Sequence, residues 1–142
     1  MNYINFLREY IKFILNFETE IKYSRKTPIQ ILKEYNSGIY MKNYINKCII
    51  FCEKYTFSDA WNLTFSDLKT FFCISKEEQN FIKNFGSQIG TSDIEGQINY
   101  CDYNINITKS YLEQALQNKE KNQKLPIILS LSAGFLLIII FI

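Results

Sequence analysis

The chain has no histidine, only five glycines, two prolines and one tryptophan among its 142 residues. Without histidine, acid-base and metal chemistry lose their commonest carrier, and no glycine-rich phosphate loop is present to hold a nucleotide. Sixteen Lys and Arg against fourteen Asp and Glu leave a net charge of only +2. Nucleic acid usually calls for a strongly basic face or stripe, so none is expected as a partner. No stretch alternates polar and apolar residues over strand length. The expected class is all-α, non-enzymatic, without cofactor, bound metal or small-molecule substrate.

Four cysteines remain, Cys48, Cys52, Cys73 and Cys101. In a cytoplasmic domain they stay reduced, and with no histidine to complete a ligand set the expectation is buried thiols. The sequons at Asn62 and Asn106 have no meaning in that compartment. Asn, Ile, Lys, Tyr and Phe are abundant throughout, a composition typical of an AT-rich genome.

What the sequence does have is an uncharged terminal run, LPIILSLSAGFLLIIIFI, residues 125–142. As a helix it would span roughly 27 Å, close to the roughly 30 Å hydrocarbon thickness of a bilayer. A helix of a small soluble domain needs a polar face, and this run has none. It is therefore expected to be a membrane anchor. Lys119, Lys121 and Lys124 flank it against Glu120 alone, which by the positive-inside rule puts residues 1–124 in the cytoplasm. Every charged side chain lies in those 124 residues, a length that suits one domain.

Within that domain Tyr3, Leu7, Tyr10, Ile14, Phe17 and Ile21 recur at spacings of four and three, which predicts a first helix over 2–23. Thr27-Pro28 is a helix start, because proline at the first helical position gives up a donor that has no partner there anyway. Asn36-Ser37-Gly38 is the expected interruption before an apolar stretch around Ile45 and Ile49, followed by a short aromatic region around Trp61 and Phe71. Ser75 with Glu78 has capping-box spacing and opens a helix expected to stop at Gly90, in a left-handed conformation. Ser92 with Glu95 repeats the pattern. The last stripe, Ile94, Ile98, Cys101, Ile105, Thr108, Leu112 and Ala115, is long enough to suggest antiparallel pairing with the first helix.

Phe85-Gly86-x-x-Ile89-Gly90-x-Ser92-Asp93-x-x-x-Gln97, a long helix, a basic stretch and a final apolar run together resemble the stage III sporulation protein AB family of endospore-forming bacteria. Glu18-Thr19-Glu20-Ile21-x-Tyr23, Thr27-Pro28 and Ala60-Trp61 fall in that family's order, so the resemblance covers nearly the whole chain. Family members usually carry a further hydrophobic segment ahead of the Glu-Thr-Glu-Ile helix. They also tend to have a Lys-Met pair where this chain has Lys124-Leu125-Pro126.

The resemblance implies a helical domain similar to the cytoplasmic domain of the type II secretion platform protein. It also implies a place in the membrane complex linking mother cell and forespore, with a secretion-ATPase-like sibling protein as partner. Two docking places are expected: the acidic end of the first helix, Glu18, Glu20 and Tyr23, and the junction at Ser92, Asp93 and Gln97. Thr27, Pro28, Trp61, Gly86 and Gly90 are expected to shape the scaffold. Glu18 and Glu20 lie two apart, so they cannot form a catalytic dyad on one helix face, and both are expected to be exposed. A tail-anchored adaptor or oligomerising membrane scaffold is the alternative.

Overall fold

The computed structural model describes the backbone of residues 2–90 and 93–141 and the side chains of residues 3–90 and 93–121. Seven helices follow one another: α1 (Asn2–Ser24), α2 (Pro28–Glu34), α3 (Ile39–Phe51), α4 (Phe57–Thr64), α5 (Leu68–Phe72), α6 (Lys76–Gln88) and α7 (Ile94–Phe141). Among the described residues there is no strand, and the chain is an all-α bundle. The helices that the periodicity predicts are present, and the aromatic region around Trp61 and Phe71 resolves into two further short ones.

The helix starts have identifiable causes. Thr27 caps α2 through a capping box with Gln30, with Pro28 at the first helical position. Thr56 and Ser75 accept the amides of Asp59 and Glu78 at the starts of α4 and α6. Gly38 precedes α3 and offers no side chain to cap it; the Glu9 carboxylate of α1 accepts the Met41 amide instead, at 2.8 Å. Here a long-range contact does what a local cap does elsewhere.

The long stripe of α1 is the centre of the core. Phe6, Leu7, Tyr10, Phe13, Ile14 and Phe17 have no exposed surface, and Ile21 is also buried. α1 packs most extensively on α7, with α4 against α6 on the other side and α3 bridging α1 to α4. Tyr3 lies beside Tyr111, and Glu18 beside Asp102, so α1 and α7 run antiparallel as the stripes suggested. Cys101, Asn104, Ile105 and Thr108 of α7 are buried against this seam; Ile98, Leu112 and Ala115 are half-buried, and Ile94 stays exposed. Residues 116–121 are exposed, where the apolar stripe gives way to polar residues.

At the other seam Trp61 sits between α4 and α6 with no exposed surface. Its ring lies 4.6 Å from Phe65, 5.1 Å from Phe85 and 5.6 Å from Phe13, centroid to centroid, and its indole N–H donates to the Ile82 carbonyl at 2.8 Å. Opposite it is Gly86. A Cβ there would stand 2.6 Å from the Cβ of Trp61, so the two helices approach closer than any other residue would permit. This is the packing reason for the glycine.

The thiols are not uniformly buried. Cys48 and Cys101 are enclosed, and burial pushes each up to about 12; Cys52 is half-buried and Cys73 is exposed. Cys73 follows α5 in a left-handed conformation, φ 56°, at a turn the apolar pattern does not reveal.

Among the described residues no helix is long and apolar enough to cross a membrane. The expected anchor, 125–142, lies outside the residues whose side chains are described, although the backbone of α7 continues as a helix to Phe141.

Candidate functional site

The antiparallel seam brings the two expected docking places to one end of the bundle. The last turns of α1 carry Glu18, Glu20 and Tyr23, and α7 begins beside them at Ile94. They are separated in sequence by some seventy positions, and nothing local joins them.

Glu18 and Glu20 do not act as one acidic face. At 100° per residue, two positions turn the helix by more than half a circle. Glu18 therefore points to α7, where its carboxyl shares a hydrogen bond with Asp102, and Glu20 points to the α1–α2 loop, where it pairs with Lys26 at 2.9 Å. Lys26 also pairs with Glu34 of α2. Both glutamates are half-buried, not exposed as the sequence suggested, because each has found an intramolecular partner. Tyr23 is the exposed member, at 74 %, with the Lys22 ammonium over its ring at 5.4 Å. The charge pairs of Lys26 lower the Glu20 carboxyl and raise the Lys26 ammonium.

The Glu18 carboxyl behaves differently. Burial, the hydrogen bond to Asp102 and the charge of Asp102 raise it from the usual carboxylate range to about 7, against the opposing pull of Lys22. Two hydrogen-bonded carboxyl groups share a proton more readily than both ionise. In the folded chain Glu18 holds its proton to higher pH than in the unfolded chain. Stability from this pair is full below the usual carboxylate range and is lost as pH rises through about 7. We expect Asp102→Asn to flatten the fall in thermal stability between pH 5 and pH 8 and to add on the order of 1 kcal/mol at pH 8, after allowing for solvent screening. Identical pH–melting curves for the variant and the unaltered chain would show that the pair carries no stability.

At the junction, α6 ends at Gln88, Ile89 is extended and buried, and Gly90 adopts φ +88°. The left-handed glycine is thus where the sequence put it, but two residues beyond the helix and not against its last turn. A Cβ at Gly90 would meet nothing within 4 Å, so the requirement for glycine is the backbone conformation alone. Ser92 lies outside the described residues. Asp93 occupies the cap of α7: its carboxylate accepts the Gly96 amide at 2.9 Å, and its carbonyl accepts the Gln97 amide. A capping carboxylate also sits favourably at the positive end of the helix dipole. Gln97 is half-buried on the first turn.

A model of the stage III sporulation protein AB family matches residues 1–142. The chain belongs to the stage III sporulation protein AB family. No curated protein and no solved structure gives a match.

Several residues of this family member escaped the sequence reading. Asp102 follows the apolar position Cys101 as an ordinary solvent-facing residue; only the register of α1 on α7 makes it the partner of Glu18. Lys26 and Glu34 join Glu20 through a turn at Arg25, φ 52°, that brings α2 back along α1. A shallow aromatic groove between α6 and α7, formed by Phe81, Tyr103, Ile107 and Tyr111, is likewise a product of packing. Phe81 and Tyr103 lie on different helices, and only the packing of α6 on α7 puts their rings 6.1 Å apart, centroid to centroid.

Proposed function

We propose that this family member is a non-enzymatic membrane component of the sporulation complex between mother cell and forespore. In this reading residues 1–124 form a cytoplasmic bundle similar to that of the type II secretion platform protein, and residues 125–142 anchor it as a single span. The bundle docks a secretion-ATPase-like sibling protein. The observation that carries the reading is the family match over the whole chain.

The end of the bundle where α1 finishes and α7 begins supports a docking role. It brings Glu18, Glu20 and exposed Tyr23 to the same end as the start of α7, where Asp93 caps the helix and Gln97 is half-buried. Topology is tested by alkaline carbonate extraction and protease protection in intact cells. A chain that washes off membranes, or a domain digested from outside, contradicts it.

The docking surface is tested by pull-down of the sibling ATPase with full-length chain. The variant carrying both Glu18→Lys and Glu20→Lys is expected to lose binding and spore formation while its melting temperature stays nearly unchanged. Lysine at 18 gains Asp102 as a partner, and lysine at 20 gives up a half-buried but solvent-screened ion pair of little worth while Lys26 keeps Glu34. Because the two side chains point to opposite flanks of α1, the single reversals show which flank meets the partner. Normal binding by the double variant excludes this end of α1.

A further inference from the structure

α3 is apolar on two faces. Met41, Ile45 and Cys48 turn into the core, whereas Ile39 at its start is 81 % exposed. Ile39 lines a groove of about 320 Å³ together with Phe71 of α5, which is 68 % exposed. Single exposed apolar residues need no explanation. Two that line one groove do, because an apolar patch rimmed by polar residues marks a surface that another molecule covers.

The floor of the groove is built from the core outward. Tyr44 stacks on the buried Phe65 ring at 5.0 Å, and Phe72 lies 5.1 Å from Phe6, centroid to centroid. These rings are held by the packing of the bundle, so the groove exists before anything enters it. Its rim carries one charge of each sign, Lys47 on the α3 wall and Asp67 where α5 begins. Asp67 occupies the N-cap position of α5, yet its side chain makes no cap hydrogen bond. Lys47 lies over the Phe51 ring, 5.9 Å from its centroid. Both charges are exposed, and among the described residues neither forms an ion pair.

The two charges decide what fits. An anionic lipid surface would be repelled by Asp67, and a partner of one sign would meet one matching charge and one opposing charge. A second copy of this chain meets neither difficulty. A two-fold axis standing between Lys47 and Asp67 lays the α3 wall of each copy on the α5 wall of the other, so that each lysine faces an aspartate and the contact occurs twice. The same rotation brings Ile39 and Phe71 of both copies into the covered area.

We propose that this groove is a two-fold interface between two copies of the chain, with Lys47 of each paired to Asp67 of the other around the apolar side chains Ile39 and Phe71. The interface shares no residue with the docking end at Glu18, Glu20 and Tyr23 and does not depend on that reading.

The test uses the full chain in detergent, with micelles in excess so that two chains do not share one by chance. A photoreactive benzoylphenylalanine replaces Asn43, an exposed residue of the groove, and light chain is mixed with isotopically heavy chain so that only adducts between copies count. The otherwise unaltered chain should give adducts on α5 of the second copy. Lys47→Glu alone and Asp67→Lys alone should each lower their yield about tenfold, because like charges then face each other at both contacts. Both side chains are exposed, so the melting temperature should stay nearly unchanged. An equal mixture of the two variants, one light and one heavy, should restore the yield, since opposite charges meet again at both contacts. Adducts that are absent from the unaltered chain overturn the interface. Adducts that persist undiminished in the single reversals do the same, and assign association to another part of the chain. A mixture that stays at the level of the single variants overturns the reciprocal pairing and the two-fold arrangement with it.

Discussion

Trp61→Ala is expected to remove about 3 to 5 kcal/mol of stability, a large part of the roughly 5 to 15 kcal/mol that holds a domain folded. The indole touches rings from α1, α4 and α6 at once: Phe13, Phe57, Phe65 and Phe85 all lie within 6 Å, centroid to centroid. These neighbours are held from several directions, so they cannot collapse into the space the indole leaves. Trp61→Phe keeps most of the volume but leaves the Ile82 carbonyl without the indole donor, and should cost about 1 to 2 kcal/mol. Chemical denaturation followed by circular dichroism separates the two. A loss below about 1 kcal/mol for the alanine variant would mean that the α4–α6 seam does not carry the core.

Gly86→Ala is the second large effect, and its sign discriminates between two explanations of the glycine. If Gly86 were incidental, alanine in the last turn of α6 would stabilise the helix by up to about 1 kcal/mol. The added Cβ, however, would lie 2.6 Å from the Trp61 Cβ and 2.9 Å from its Cγ, atoms close to the backbone with no flexible end to yield. The helices must separate, and overpacking of this kind costs about 1 to 3 kcal/mol. Net destabilisation is expected in denaturant titration, and net stabilisation would refute the close approach. Trp61→Ala keeps the Cβ but removes Cγ and the ring, which gives the helices room to shift, so the double variant Trp61→Ala, Gly86→Ala should cost less than the two single losses added together.

The helices of the bundle were legible because their causes are local. The α1 stripe, the Thr27-Pro28 start, the Ser75 cap and the Gly90 turn each depend on a few adjacent residues, and each stands where the pattern predicted. Small displacements have local causes too. The cap of α7 sits at Asp93, one residue beyond Ser92, because an aspartate is as good an N-cap as a serine and sequence alone does not choose between neighbours. Glu78 had the spacing to close a capping box at Ser75, and its carboxylate instead accepts the Tyr3 hydroxyl of α1.

The candidate site was legible only in parts. Glu18, Glu20 and Tyr23 could be picked out as residues of one helix end, but whether they were exposed depended on α2 and α7, which supply Lys26 and Asp102. Exposure is a property of the packed chain. A glutamate that reads as a solvated face becomes half-buried once an antiparallel helix is laid beside it.

By itself the sequence determined the all-α class, the positions of the main helices, the family and the uncharged run at residues 125–142. These follow from hydrophobic period, capping chemistry and residue order, which act over one or two turns of chain. Only the tertiary structure decided that Gly86 serves Trp61, that Glu18 meets Asp102, and that the acidic end of α1 and the start of α7 share one end of the bundle. Those relations join residues twenty-five to eighty-four positions apart. They are set by the register and approach distance of packed helices, which no spacing within a single helix encodes.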